Sequence, residues 1–359
     1  MLHEAATLGV TDTHLAEPVE SLLRKTDRFI EAEVTEVDPD SKTVTAGGRQ
    51  IGFDYLLIAA GSRTSYAGVP GAREFSFPLK TYEDVVRLRS RIIGSFRAGR
   101  SQSIQGSLSF VVVGGGGTGV EMAAELAELI QSTLRRHYGN SVTDQARITL
   151  VHRGLELVPD FEPGLRARTA EILRHKGITL ITGKSVREVT PRGVLLHDSR
   201  FIAARTTIWT AGVEPVNVGL PSELLDDRGF VVTDENQSLP LYPDIFAAGD
   251  IASRRRGRQL PLRAQVASKQ GSAFGQILYA WHTGREQVPF EYQSSGELVS
   301  IGQWYAVGSI RGQTVAGSLA WYIRRTVYLL KMISFWKKLK VSLDWTVRLF
   351  YHRELLPEE

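Results

Sequence analysis

The sequence has 359 residues, 42% hydrophobic and 23% charged, which is typical of a globular protein with room for two domains and a tail. It contains no cysteine, which excludes disulfides, cysteine-ligated zinc and thiol redox chemistry, so any electron transfer must use bound cofactors. The net charge of +4 resides in residues 321–359, which carry eight Lys or Arg against four Asp or Glu, and this argues against nucleic-acid binding. With no run of 18 apolar residues and no apolar leader, we expect neither a spanning helix nor a signal peptide.

The first predicted unit covers residues 29–61, FIEAEVTEVDPDSKTVTAGGRQIGFDYLLIAAG. Short β-branched stretches alternate with turn residues, and an apolar run from Tyr55 to Ala60 ends at Gly61-Ser62. This pattern predicts a set of short strands that ends at a crossing between two domains.

The second predicted element is a strand, a glycine-rich turn and a helix, in the order found where dinucleotides bind. Residues 110–113 form a β-branched and aromatic run, as expected for a central strand buried on both faces of a parallel sheet. Gly114, Gly116 and Gly119 fit the G-x-G-x-x-G pattern, and residues 120–137 follow with apolar side chains at helical spacing. The glycines allow a tight turn, close approach of backbone N–H groups to a pyrophosphate, and packing of the helix on the strand.

The next strand, residues 148–151, is expected to end at the adenosine ribose. A carboxylate there would bind the ribose hydroxyls of NADH, but the sequence has His152 and Arg153 instead. Either this basic pair faces a 2′-phosphate, which would favour NADPH, or both residues are solvated loop residues.

Residues 178–212 repeat the pattern of the first unit and end in an apolar run that closes on Ala211-Gly212. Two copies of one pattern predict two dinucleotide-binding units, and hence two dinucleotides. The second unit runs 98 positions from Gly114 to Gly212, and counting back as far from Gly61 leads to a point before Met1. We therefore expect the first unit to lack its opening βαβ half, including its glycine-rich turn.

Residues 242–250, YPDIFAAGD, predict a short buried strand that ends in Gly249-Asp250. An acid at the carboxyl end of a strand can hold a ribityl hydroxyl, although Gly-Asp alone is usually a turn. A helix is predicted from about Ala264 to Trp281, with Gln265 in its first turn.

The tail, residues 321–351, mixes aromatic and basic residues too closely to span a bilayer. This composition predicts a helix that lies in the headgroup region of an anionic membrane, with Trp321, Trp336 and Trp345 inserted. The alternative is a pair of helices packed on the body of the protein or on a second subunit. Packing on a second subunit would make the protein a homodimer.

The whole chain resembles the type II NADH:quinone oxidoreductases, the single-subunit NADH dehydrogenases that do not pump protons. The matching segments follow the family's order and include LHEAATLGVTDTHLAEPVESLL, FDYLLIAAGS, VVVGGGGTGVEMAAELAEL, TIWTAGVEP, YPDIFAAGDIA, RAQVASKQG and VSIGQWYAVGSIRGQTVAGSLAW.

The resemblance implies FAD bound across Gly61, Ser62, Gly249 and Asp250, and a quinone near Gln265. The family's glutamate after the glycine-rich turn matches Glu121 and would help to coordinate hydride or proton movement; the alternative is a carboxylate that complements the helix dipole. The family's A-Q-x-A-x-Q quinone motif has Lys269 at its second Gln. Because lysine only donates hydrogen bonds, it would favour a different quinone.

The sequence therefore predicts an α/β fold of two Rossmann-like dinucleotide-binding domains with an amphipathic helical tail. The predicted domains are a first FAD part (1–78), an NAD(P)H domain (79–215), a second FAD part (216–310) and the tail (311–359). The predicted enzyme passes a hydride from NADH or NADPH to FAD, and electrons to a membrane quinone, at the cytoplasmic face of a membrane, without a metal. Alternatives are a soluble NADPH-dependent flavoprotein reductase with another acceptor, a non-catalytic truncated paralogue, or a start codon placed too late.

Overall fold

The computed structural model describes residues 2–10, 17–101, 108–254, 259–332 and 334–350, without the side chains of residues 100, 101, 344 and 347–350. The chain forms two compact units. Unit 1 contains residues 1–18, 66–212 and 295–359, and unit 2 contains residues 19–65 and 213–294.

The strands are short, between two and six residues each. In chain order they are β1 (Val34–Asp38), β2 (Thr43–Ala46), β3 (Arg49–Gly52), β4 (Leu56–Ile58), β5 (Ser62–Thr64), β6 (Ser76–Pro78), β7 (Ser109–Val113), β8 (Arg147–Val151), β9 (Ile178–Ile181), β10 (Val186–Thr190), β11 (Gly193–Leu196), β12 (Phe201–Ala203), β13 (Thr206–Trp209), β14 (Val213–Pro215), β15 (Val231–Thr233), β16 (Ser238–Leu239), β17 (Tyr242–Ala247), β18 (Ala252–Arg254), β19 (Gly296–Ser300), β20 (Ala306–Ile310) and β21 (Gln313–Gly317).

The α-helices range from single turns to twenty residues. In chain order they are α1 (Leu2–Ala6), α2 (Ala72–Phe75), α3 (Tyr82–Ser101), α4 (Gly117–Leu129), α5 (Arg135–Tyr138), α6 (Asn140–Thr143), α7 (Pro163–His175), α8 (Ala264–His282), α9 (Ser318–Lys331) and α10 (Phe335–Phe350).

Unit 1 is built on a parallel five-stranded sheet in the order β6-β13-β7-β8-β9. The predicted central strand is the middle one, β7. Its side chains alternate between two cores, with Phe110 and Val112 in one and Val111 and Val113 in the other. The sheet is thus covered on both faces, as the continuous apolar run predicted.

The helix predicted over residues 120–137 follows the glycine-rich turn. It begins as α4, widens into one π-helical turn at Ile130–Leu134, and ends as α5. Its buried residues include Val120, Ala123, Ala124 and Ala127, which belong to the core that also contains Phe110 and Val112 of β7. Small side chains allow a helix to pack closely on its neighbours.

The predicted repeat is present in the structure. Strands β1-β2-β3 form an antiparallel sheet in unit 2, and β10-β11-β12 form another in unit 1. Both have an irregular register at the same place, between Val34 and Glu36 in one and between Val186 and Glu188 in the other. Such shared β-bulges are specific features rather than defects.

Unit 2 also contains a sheet in the order β16-β17-β4, in which β17 and β4 run parallel. Its apolar core includes Val37, Ile58, Leu239, Ile245 and Ala247. This arrangement brings the ends of β4 and β17 to one edge, since parallel strands end on the same side.

The compact units divide the chain at positions other than the predicted domain boundaries. Residues 66–78 lie in unit 1 because β6 pairs with β13 there. Residues 295–310 also belong to unit 1, where Val299, Ile301 and Val307 join the main core. The cofactors assigned to the predicted domains stay predictions.

The described part of the tail contains α9 and α10, and part of its predicted membrane face is wrong. Trp321 packs with Ala306 and Ala320, and Trp345 packs with Val10 and Val341. Both indoles are buried because they fill apolar gaps of unit 1, so neither is available for insertion into lipid.

The third predicted contact residue, Trp336, is exposed, and so are Leu330 and Leu343 on the same two helices. The side chains of Asp344, Arg348 and Phe350 lie outside the described residues. Within the described ranges, the structure has no helix with the length and apolar character that crossing a bilayer demands.

Candidate functional site

The glycine-rich turn of unit 1 joins β7 to α4. Gly114 has a φ of +117°, a conformation that favours glycine. A Cβ on Gly119 would lie 1.8 Å from the carbonyl oxygen of Gly114, whereas a Cβ on Gly116 would meet nothing within 4 Å. The third glycine therefore lets the helix pack on the strand, and the second keeps a backbone face open.

This turn fits the pyrophosphate of a dinucleotide. Gly116 is the N-cap residue of α4, and no side chain caps the helix there. The first N–H groups of the helix are therefore left to an external acceptor, and the helix dipole favours a negative one.

His152 lies against the turn. The N–H of Gly115 donates to His152 Nδ1 at 3.1 Å, and a Cβ on Gly115 would lie 2.6 Å from the imidazole ring. Burial and the charge of Arg153 lower the pKa of His152, so the ring is neutral at pH 7. Of the predicted basic pair, Arg153 is exposed, while His152 contacts the turn.

The second repeat closes beside the same turn. Thr210 donates from both its backbone N–H and its hydroxyl to the carbonyl of Val113, at 2.8 and 2.9 Å. Ala211 and Gly212 follow it and are exposed. The structure thus places them at the edge of the sheet where Gly114 begins the turn.

Glu121 belongs to a buried cluster of four ionisable side chains in unit 1. Its Oε1 accepts hydrogen bonds from Arg324 Nη2 at 2.9 Å and from the backbone N–H of Ser300 at 3.1 Å. Its Oε2 lies 3.2 Å from His3 Nδ1. Arg324 Nη1 in turn donates to Glu4 Oε1 at 3.0 Å. The cluster joins α1, α4 and α9.

The charges of this cluster stabilise one another. Burial alone would raise the pKa of Glu121, but His3 and Arg324 hold it below its ordinary value. Burial likewise opposes ionisation of Glu4, whose pKa is nevertheless held well below its usual range by His3 and Arg324. The two carboxylates raise the pKa of Arg324 against the effect of its burial. Glu121 is therefore ionised, and its partners are Arg324, His3 and the backbone N–H of Ser300 rather than the N-terminal end of its own helix.

Unit 2 brings together the predicted flavin residues. Gly61 and Ser62 follow β4, Gly249 and Asp250 follow β17, and Ser62 Oγ donates to Asp250 Oδ2 at 2.8 Å. Gly249 has a φ of +78°, and its N–H donates to Gln270 Oε1 at 2.9 Å. Open glycine backbone beside a carboxylate fits a hydroxylated, phosphate-bearing ligand such as FAD.

The predicted acceptor residues lie on α8 of unit 2. Gln265 Oε1 accepts a hydrogen bond from the hydroxyl of Tyr292 at 2.6 Å. Lys269 Nζ donates to the backbone carbonyl of Gln293 at 2.6 Å and lies 5.5 Å from the centre of the Tyr292 ring. The segment after α8 therefore contacts both residues.

Sequence reasoning missed several of these residues. His3 and Glu4 lie in a segment whose only signal is its family resemblance, and Arg324 is one of the basic residues of the tail that predicted contact with an anionic membrane. Gln270 and Tyr292 carried no signal beyond their residue type. Their roles follow from contacts between distant segments, which one sequence does not reveal.

The comparisons with known proteins show the family to which the chain belongs. Residues 1–271 match the family model for pyridine nucleotide-disulphide oxidoreductases. The type II NADH:quinone oxidoreductase of Mycobacterium tuberculosis is 30% identical over 97% of this chain and 79% of its own length. A demethylphylloquinone reductase of Synechocystis is also 30% identical, over 97% of this chain and 85% of its own.

The fold matches a solved structure over almost its whole length. NDH2 from Plasmodium falciparum, determined in complex with NADH, superimposes with a TM-score of 0.90. The match covers 98% of this chain and 91% of that one at 17% identity, so it establishes the fold. The predicted family, enzyme class and cofactors are therefore confirmed: the chain belongs to the type II NADH:quinone oxidoreductases within the pyridine nucleotide-disulphide oxidoreductase family, with FAD and a nicotinamide dinucleotide as cofactors.

Proposed function

We propose that unit 1 binds the nicotinamide dinucleotide at Gly114, Gly116 and Gly119, and that unit 2 binds FAD at Gly61, Ser62, Gly249 and Asp250. When bound, FAD supplies the centre that accepts a hydride and gives up two electrons. The observation that carries the proposal is the uncapped start of α4 beside the open face of Gly116. The protein's own task is to hold both ligands in place, because neither reaction needs a covalent nucleophile.

Anaerobic titration tests this assignment. NADH should bleach the absorbance of the bound flavin, and a quinone should restore it. Changing Asp250 to Ala should lower the flavin content, because the acceptor for a flavin hydroxyl is lost. A matched change of the exposed Asp227 to Ala should leave it unchanged. Flavin that neither bleaches with NADH nor reoxidises with quinone would contradict the proposed function.

Glu121 is proposed to stay ionised near the dinucleotide turn and to help coordinate hydride or proton movement. Its support is its position four residues after Gly117, the first residue of α4, and its hydrogen bonds to Arg324 and Ser300. A carboxylate so held is a fixed negative charge that could balance charge created during the reaction. Changing Glu121 to Gln should slow turnover more than it weakens NADH binding.

We propose that NADPH is used at least comparably to NADH. Arg153 supports this proposal because it is an exposed cation directly after His152. A carboxylate at this position would bind the ribose hydroxyls and repel a 2′-phosphate, but the sequence has none there. Changing Arg153 to Ser should lower kcat/KM for NADPH about tenfold and leave that for NADH unchanged; Arg174 to Ser, also exposed, is the control. A hundredfold preference of the unchanged protein for NADH would contradict the proposal.

The acceptor is proposed to be a membrane quinone bound near Gln265 and Lys269 of α8. Both side chains present hydrogen-bond donors, and quinone carbonyls are acceptors. Changing Gln265 to Ala should therefore slow the reduction of quinone and leave the reduction of ferricyanide unchanged. If the protein is instead a soluble reductase with another acceptor, it should reduce water-soluble dyes as fast as it reduces quinones.

The exposed apolar face of α9 and α10 is proposed to bind an anionic membrane at its cytoplasmic surface. This tail face consists of Leu319, Tyr322, Leu330, Phe335, Trp336 and Leu343. Lys331 and Lys340 are exposed on the same helices, and cations strengthen attachment to anionic lipid.

Vesicle co-sedimentation tests the tail face. Changing Trp336 to Ser should lower the fraction of protein that sediments with vesicles of anionic phosphatidylglycerol severalfold. Leu241 to Ser, an equally exposed apolar change in unit 2, should not. If Trp336 to Ser instead converts a dimer into monomers without changing vesicle binding, the face is a homodimer contact and the lipid proposal fails.

A further inference from the structure

One side chain outside the predicted site contacts both residues of the proposed acceptor site. Tyr292 lies in the segment that follows α8, and its hydroxyl donates to Gln265 Oε1 at 2.6 Å. Its ring lies 5.5 Å from Lys269 Nζ, and the next residue, Gln293, accepts a hydrogen bond from the same ammonium. The inference below rests on the proposed function.

The hydrogen bond from Tyr292 decides how the amide of Gln265 is turned. A glutamine side chain has one oxygen, which accepts, and one NH₂ group, which donates twice. Because the hydroxyl of Tyr292 occupies Oε1, the NH₂ group remains for another partner. A free amide would rotate, so that half of its orientations would present the oxygen.

A quinone carbonyl only accepts hydrogen bonds, so it needs the NH₂ group and is repelled by the amide oxygen. We propose that Tyr292 is a positioning residue that holds the Gln265 amide with its donors toward the acceptor. Lys269 also only donates, and Gln293 holds it beside the same ring. The site is thereby tuned to acceptors that present carbonyl oxygens.

The segment that carries Tyr292 is fixed by its own contacts. The Tyr292 side chain packs against a cluster formed by Phe246, Ile277 and Phe290. The N–H of Phe290 donates to the carbonyl of Glu235, and the guanidinium of Arg254 donates to the carbonyl of Phe290. A side chain held in this way can orient Gln265 without losing much conformational entropy when the acceptor binds.

Changing Tyr292 to Phe removes a single oxygen atom and leaves the packed ring. We expect KM for a short-chain quinone to rise roughly threefold to tenfold, the usual effect of one lost hydrogen bond. Flavin bleaching by NADH and reduction of ferricyanide should stay unchanged. Changing Tyr279 to Phe, an exposed tyrosine on α8 itself, is the matched control.

A double-mutant cycle separates positioning from a general structural effect. In a protein that already carries Gln265 to Ala, the change of Tyr292 to Phe should have no further effect on KM. Changing Gln265 to Glu should raise KM with either residue at position 292, because a carboxylate accepts the hydroxyl but cannot donate to the quinone.

Two results would overturn the inference. One is a KM for quinone that changes less than twofold when Tyr292 is changed to Phe. The other is that this change raises KM by the same factor in the Gln265 to Ala variant as in the unchanged protein. If the unchanged protein bleaches with NADH but reduces no quinone, the proposed function fails instead. Thermal unfolding of each variant, compared with Tyr279 to Phe, identifies any loss of folding.

Discussion

The two copies of the repeat have the same strand pattern but are completed in different ways. In unit 1, β13 has parallel neighbours on both sides, β6 and β7, and the glycine-rich turn follows β7. In unit 2, the corresponding strand β4 pairs with β17 in the described structure. The repeat therefore fixes a scaffold, and the neighbouring segments decide what each scaffold binds.

The two units also use polar groups differently. Unit 1 buries a charged cluster, Glu4, Glu121 and Arg324 with His3, beside the glycine-rich turn. Unit 2 uses partly exposed hydroxyl, amide and ammonium groups, such as those of Ser62, Gln265 and Lys269. Disrupting the first set should cost folding stability, whereas disrupting the second should change ligand binding.

The largest effect is expected for Arg324 to Met. It leaves two buried carboxylates without their guanidinium, and breaking a buried ion pair from one side typically costs about 3–5 kcal/mol. The free energy of unfolding in urea measures the loss. Lys269 to Met, the matched change in unit 2, should cost less than about 1 kcal/mol because that ammonium is only partly buried. If the two variants lose the same free energy of unfolding, the proposed difference between the units is wrong.

The next effect is expected within the glycine-rich turn. Gly119 to Ala places a methyl group against the backbone of Gly114, which cannot move aside, so about 3 kcal/mol of stability and most NADH binding should be lost. Gly116 to Ala adds a methyl group in open space at an ordinary φ of −74°. The Gly116 to Ala variant should have the same free energy of unfolding as the unchanged protein but a higher KM for NADH. Equal stability of both variants would show that the turn can adjust.

Acid should destabilise unit 1 through its buried carboxylates. The pKa of Glu121 and that of Glu4 are lowered from 4.5, so their contribution is present above pH 4.5 and is lost as pH falls through the lowered values. Glu128 opposes this trend, because burial and Glu125 raise its pKa. Unfolding free energies between pH 3 and pH 7 should fall more steeply for the unchanged protein than for Glu121 to Gln. Parallel curves would mean that Glu121 is not ionised in the folded protein.

The smallest effect is expected for Ser62 to Ala. It removes one hydrogen bond to Asp250, worth about 1 kcal/mol, which helps to orient that carboxylate. We expect a modest drop in bound flavin with little change in the melting temperature. Ser268 to Ala, an exposed serine on α8, is the control. A melting temperature that falls with unchanged flavin content would assign this pair to folding rather than to the ligand.

Local sequence patterns determined much of the fold. The apolar run of β7, the three glycines and the helical spacing after them each constrain neighbouring residues, so they predicted the strand, turn and helix of unit 1. The repeated strand pattern predicted the paired sheets, and the strand before Gly249-Asp250 was found as β17. These features depend on periodicity and backbone conformation, which a short segment specifies by itself.

The tertiary structure decided which distant segments meet. It placed Glu4 and Arg324, which lie 320 residues apart, in one ion pair, although neither charge carried a sign of burial in the sequence. It turned Trp321 and Trp345 from predicted lipid contacts into core residues, and it set Tyr292 on Gln265. An amphipathic helix has the same pattern whether it faces lipid or protein, because only the packed partner determines where its apolar side is buried.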